Sequence, residues 1–160
     1  FEIYCQNNQS ESIWETLLNN TEVTPCGLAS RDSLRLEAGM PLYGHELDEN
    51  TQPAEAGLGR AVVDREAFQG KAALRDPKKK LIGLKGEGKR AARQGYQVYE
   101  NEKQVGEVTS GILSPTLGYP IAMAFTTNLE TKPGDKLMVD IRGTHQEFIV
   151  VELPFYKRAN

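Results

Sequence analysis

A chain of 160 residues can form one large domain or two small ones, and 26% charged with 39% hydrophobic residues is ordinary globular composition. A formal net charge of −3 gives no global electrostatic case for nucleic acid or an anionic membrane, so neither is expected as a partner. The apolar runs are all far too short to span a bilayer as a helix.

"FEIYC" reads as a short β-like run with alternating faces, cut from the middle of a strand. With no initiator methionine and no secretory pattern, the chain is expected to be a fragment or processed product of something longer. Cys5 and Cys26 show no CxxC or Cys/His spacing, so no metal is expected. Both read as small core residues in a reducing compartment. His45 and His145 have no partner pattern and read as structural or solvent-facing.

Ser10 opens a helix with Ile13, Trp14, Leu17 and Leu18 on one stripe, ended by Asn19 and Asn20. A second helix runs from about Leu28 to Ala38, stopped by Gly39 and kept from restarting by Pro41. At about 100° per residue, Arg31 falls between Leu28 on one side and Leu34 and Ala38 on the other, with Arg35 one turn on. Surface arginines often lie beside an apolar stripe with their heads in water, so the spacing alone is a weak signal. Asp32, Glu37 and Glu46 are candidate partners for the two guanidinium groups.

"PLYGHELDENTQPAEAGLG" reads as an ordered loop anchored by Leu42, Tyr43, Leu47 and Leu58. "AVVDREAFQGKAAL" reads as a short strand and a short helix. Pro77 and the lysines of "RDPKKK" suggest a domain boundary, giving residues 1–74 and 75–160. Beyond it come six candidate strands, "KLIGLKG", "QGYQVYE", "KQVGEVTSGIL", "YPIAMAFTT", "DKLMVDIR" and "HQEFIVVEL". "YENEKQ" and "IRGTHQ" read as hairpin turns and "KPGD" as a turn. The fold class is therefore α+β: an α/β piece, then six antiparallel strands as a small closed barrel, Greek-key or jelly-roll-like, or as a Greek-key sandwich.

Three motifs bear on chemistry. Glu2 is a carboxylate flanked by Phe1, Ile3 and Tyr4, and its plain reading is the polar face of a strand. "GEGKRAARQG", Gly86 to Gly95, invites a nucleotide reading but lacks the P-loop pattern, and reads as a solvated loop. Ser110 and Ser114 in "TSGILSPTLG" could be proposed as nucleophiles, but no histidine stands in a suggestive relation, so a hydrolase is rejected.

"GLASRDSLRLEAGMPLYGHELDE", "EAGLG", "FQGKAAL", "GEVTSGILSPTLGYPIAMAF" and "LPFYKR" occur together and in order. In these segments the chain resembles the T-protein family of the glycine cleavage system, from Phe1 to about Arg158. The resemblance implies a folate-dependent aminomethyltransferase. Such an enzyme takes the aminomethyl group from the lipoyl arm of H-protein, passes the methylene to tetrahydrofolate and releases ammonia. It also implies three domains around a folate cavity, of which this chain looks like the last part only. The missing N-terminal part and lipoylated H-protein are then the expected partners, with tetrahydrofolate as acceptor substrate. The family's folate-contacting glutamate and arginine map onto Glu2 and Arg31. A carboxylate can accept from the adjacent amino and ring N–H groups of a pterin, and a guanidinium fork can bind acceptors or a carboxylate tail. Arg35 is expected to be structural, paired with Asp32 or a loop carboxylate.

Two departures stand out. Arg60 follows "EAGLG" where family members often have an aromatic residue. The family's catalytic aspartate lies in the part this chain lacks, and neither Asp32, Asp48, Asp64 nor Asp76 matches its motif, so no catalytic residue is assigned. The fragment alone is expected to be inactive. Three alternatives share this region: a non-catalytic folate-binding paralogue, the folate domain of a dimethylglycine or sarcosine dehydrogenase, and a folate-dependent demethylase. The paralogue's cysteine motif is absent near "FQGKAAL".

Overall fold

In the computed structural model, which describes residues 2–63 and 67–158, six strands close into an antiparallel barrel. They are β1 (Lys80–Gly86), β2 (Gln97–Glu100), β3 (Lys103–Leu113), β4 (Pro120–Thr126), β5 (Lys136–Ile141) and β6 (Thr144–Val151). The order around the barrel is β1-β4-β3-β2-β5-β6, with β6 paired back to β1. β2, β3 and β4 form a meander and β1 lies beside β4, which is a Greek key. All six expected strands are present, their ends trimmed by up to three residues or, for β6, begun one residue earlier.

The barrel fills by alternation. Leu84, Val98, Val108, Ala122, Ala124, Leu137, Val139 and Phe148 point inward and are fully buried. Burying one such leucine or phenylalanine contributes about 1.5–3 kcal/mol. In β4 the inward residues are the small Ala122 and Ala124, while Ile121 and Met123 pack outward. Those two meet Leu36, Leu153 and Phe155, so β4 is buried on both faces.

The hairpins have the expected chemistry. Asn101 and Glu102 sit at φ 47° and 65°, and Arg142 and Gly143 at 56° and 83°, which matches the right-handed twist of the strands they join. In the turn before β5 the Lys132 N–H donates to the Asp135 carboxylate at 2.8 Å.

Two helices precede the barrel, α1 (Ser10–Leu18) and α2 (Leu28–Glu37). Gly39 follows α2 with φ +65°, and its N–H donates to the Leu36 carbonyl at 2.9 Å. The chain packs as two compact units, the first ending at Arg31 and the second beginning at Asp32. In the first unit α1 has no buried residue, and Trp14, Leu17 and Leu18 are exposed. In the second, the residues before β1 are packed with the barrel.

Several expectations are corrected. Glu2 to Cys5 form no strand, because alternation supplies faces but no pairing partner; Phe1 lies outside the described residues. Cys5 and Cys26 are exposed rather than core, since nothing in their unit covers them. The stretch after Gly59 has no strand among the described residues, only short 3₁₀ turns at Gly59–Ala61 and Lys71–Ala73. Residues 64–66 of that stretch, with Asp64, lie outside the described residues. Tyr43 and Leu58 do not anchor their loop: both are exposed, and the loop is held by buried carboxylates instead.

Candidate functional site

Around Arg35 a polar cluster is buried against the barrel. Its guanidinium donates to Asp32 at 2.8 Å, to Glu46 at 3.0 Å and to the Ser110 hydroxyl at 2.8 Å. Glu46 has no exposed surface, and its carboxylate also accepts from Ser110 Oγ at 2.6 Å and the Leu42 N–H at 2.9 Å. Burial of a carboxylate is tolerable only with such a complete set of donors. Arg35 is thus structural and paired with both Asp32 and a loop carboxylate, Glu46.

Local geometry of β3 makes this cluster possible. Val108 faces Ala124 and Ser110 faces Met123 in β4, so Thr109 is an extra residue that bulges the strand. A bulge re-aims the side chains beside it. Here Ser110 reaches Arg35 and Glu46, Thr109 Oγ1 donates to the Met123 carbonyl at 3.1 Å, and the Thr109 carbonyl lies 3.1 Å from His45 Nδ1.

His45 also stands 3.4 Å from Ser110 Oγ, a proximity that the sequence did not suggest. It does not make Ser110 a nucleophile. The single hydroxyl proton goes to Glu46 at the shorter distance of 2.6 Å, and Arg35 donates to the same oxygen. Ser114 is likewise occupied: it donates to Glu37, which also accepts from the Thr116 hydroxyl at 2.7 Å and N–H at 3.1 Å. Burial pushes the Glu37 carboxyl up, but the bonds from Ser114 and Thr116 outweigh it and hold the group below its ordinary value. These carboxylates fix the elements around the barrel. His145, the other histidine, stacks on Tyr99 with ring centroids 4.9 Å apart.

Glu55, also buried, accepts from the N–H groups of Gln52 at 3.1 Å and Lys78 at 3.0 Å. Burial raises its pKa, while these bonds and the charges of Lys79 and Arg75 bring it below the usual value. Gln52 clamps the Ala73 carbonyl and the Arg75 N–H, so the chain entering β1 is tied down. The burial of Glu55 was missed by sequence reading, because the composition of its polar loop is that of a solvated one. Glutamates three or four residues from a backbone they could cap were the available signal.

Glu2 and Arg31 are both exposed and in the first unit. Arg31 lies on the N-terminal half of α2, its N–H bonded to the Gly27 carbonyl at 3.3 Å. The Glu2 carboxylate accepts from the Tyr4 hydroxyl at 2.6 Å, which raises the Tyr4 pKa. Among the described residues no ion pair joins Glu2 to Arg31. Tyr4 was not singled out from the sequence. Its position two residues on, the same-side spacing of an extended chain, was the signal.

The family described as "Glycine cleavage T-protein C-terminal barrel domain" matches residues 79–157, and that described as "GCVT N-terminal domain" matches 1–65. An aminomethyltransferase of Cutibacterium acnes is 50% identical over 167 residues, covering 99% of this chain and 45% of that protein. One from Nostoc sp. is 46% identical, covering 100% of this chain and 44% of its own length. The crystal structure of glycine cleavage system aminomethyltransferase T from Bartonella henselae superposes with a TM-score of 0.85 at 32% identity, over 93% of this chain and 44% of that one. The chain thus spans about half the length of the curated relatives it matches. With both domain families matched in order and the barrel shared with a solved relative, the chain belongs to the glycine cleavage T-protein family, and corresponds to its C-terminal portion.

Proposed function

We propose that the chain is the C-terminal part of a tetrahydrofolate-dependent aminomethyltransferase. It would act within the glycine cleavage system, with lipoylated H-protein as donor, tetrahydrofolate as acceptor and ammonia as the released product. The observation that carries this reading is similarity along the whole chain to proteins named aminomethyltransferase. Residues 1–74 would be the end of the folate-binding domain and residues 75–160 the barrel domain. The protein would work in the cytoplasm, or in the mitochondrial matrix of a eukaryote, with no metal.

Glu2 and Arg31 are the proposed folate contacts. Their exposure supports this: a charged group spent on an internal ion pair, as Arg35 is, has no capacity left for a ligand. Tyr4 would hold the Glu2 carboxylate in position until the pterin displaces or joins it. The chain supplies no candidate for the catalytic carboxylate, so the chemical step is assigned to the N-terminal part of the protein.

Two measurements test the reading. Formation of 5,10-methylenetetrahydrofolate from loaded H-protein is expected only when the chain is joined to, or mixed with, an N-terminal part; turnover by the chain alone would overturn the assignment. In the joined protein, Glu2→Ala and Arg31→Ala are each expected to weaken tetrahydrofolate binding by about 1.5–3 kcal/mol, with the barrel intact by circular dichroism. Unchanged affinity in calorimetry would remove both residues from the site.

A further inference from the structure

At one end of the barrel, where β1, β3 and β5 finish and β2 and β6 begin, a cavity of about 580 Å³ opens. Its volume is that of a small-molecule site. Four cationic side chains line it: Lys89, Arg90 and Arg93 from the β1–β2 loop, and Arg142 from the β5–β6 turn. Tyr96 and Leu113 give it an apolar wall, and among the described residues no carboxylate lines it. Among the described residues none of the four cations forms an ion pair, in a chain whose net charge is −3.

Four like charges lining one concavity repel one another and focus a positive potential there, which a bound anion would neutralise. The alternative is a loose basic loop whose charges spread into solvent. The backbone of this loop is not loose. Ala92 is fully buried, and its carbonyl lies so close to β3 that a Cβ on Gly111 would meet it at 2.4 Å. The Gly95 N–H donates to the Val108 carbonyl at 2.9 Å, and Gln146 from β6 donates to the Glu87 carbonyl at 2.8 Å. Arg93 reaches back to the Gly111 carbonyl at 3.4 Å. The loop is therefore pinned on both sides of its basic residues. The Arg142 turn is set by a left-handed residue and by the Gly143 N–H bonded to Asp140 at 2.6 Å. Both supports fix the backbone from which the four exposed cations extend beside the cavity.

We propose that this cavity binds a small multivalent oxyanion, a molecule carrying two or more linked phosphate groups. Three guanidinium forks suit phosphate oxygens in bidentate fashion, and Lys89 adds a point charge. The concave shape and the Tyr96 wall favour a compact ligand over a flat protein surface. The site uses neither Glu2 nor Arg31, so it stands whether or not the folate reading does.

Inorganic tripolyphosphate, titrated calorimetrically into the chain at low ionic strength, is the test. Binding at one site is expected, falling steeply as salt rises. Arg93→Gln and Arg142→Gln are each expected to weaken it about tenfold or more. Lys136→Gln, at the far end of the barrel where Lys136 pairs with Glu147 at 3.0 Å, is expected to leave it unchanged. Both arginines are exposed, and circular dichroism checks that the variants fold. Absence of binding at millimolar tripolyphosphate would overturn the proposal. So would equal weakening by Lys136→Gln, which would reduce the effect to net charge.

Discussion

Helix α1 and strand β4 carry apolar periodicity of similar clarity and end in different surroundings. In α1 the stripe of Trp14, Leu17 and Leu18 remains 51%, 42% and 36% exposed, whereas in β4 Ile121 and Met123 are 0% exposed. β4 has a closed ring on its inner side and Leu36, Leu153 and Phe155 on its outer side. Periodicity states which face requires a cover, and only a second element supplies one. Barrel stability should therefore depend on the elements packed around β4 and hardly at all on α1.

The largest expected effect lies in the cluster holding α2 beside the ring. Arg35→Ala leaves Glu46 buried without its cation and should cost about 3–5 kcal/mol in urea unfolding. Replacing both partners, Arg35→Met with Glu46→Gln, should recover part of that loss; a single variant as stable as the parent would show that the cluster is incidental.

A smaller, pH-dependent effect is expected from Glu37. Its folded pKa lies below its ordinary value of 4.5, so on acidification the unfolded chain takes up the proton first. The contribution is full above about pH 4.5–5 and is lost as pH falls through the folded value. Thr116→Val should flatten this decline and cost about 1–2 kcal/mol at pH 7. An unfolding midpoint with the same acid slope in parent and variant would break the assignment.

Least affected should be the chain altered in α1. Trp14→Ser and Leu18→Ser should each change unfolding of the barrel by no more than about 0.5 kcal/mol. A loss of 2 kcal/mol or more would mean that the two units are energetically one.

These contrasts also mark what the sequence made legible. Strand positions could be read because inward residues such as Leu137, Val139 and Ile141 alternate with half-exposed ones and because the turns carry Gly134 and Gly143. Arg35 could be read as structural from carboxylates within reach. The bulge at Thr109 could not be read, since it depends on register against β4, and with it went the meeting of Ser110, His45 and Glu46. Buried Glu55 was hidden for a related reason: its partners are backbone N–H groups, which leave no mark on local composition, while Glu46 was legible as an arginine partner but not as a buried group. Glu2 to Cys5 show the converse, an alternating pattern without a neighbouring strand among the described residues.

Pairing of β1 with β6, where Gly83 faces Val151, imposes an order of events on synthesis. β1 emerges from the ribosome first of the six and has no neighbour until β4 appears, and its second edge stays open until the final strand is made. Such long-range pairings are slow to form because the intervening chain must be ordered first. Meanwhile the hairpins of β2–β3, β3–β4 and β5–β6 can assemble locally. A nascent chain halted before Thr144 thus presents an unpaired β1 edge, the state in which a barrel protein is most open to pairing with another copy of itself.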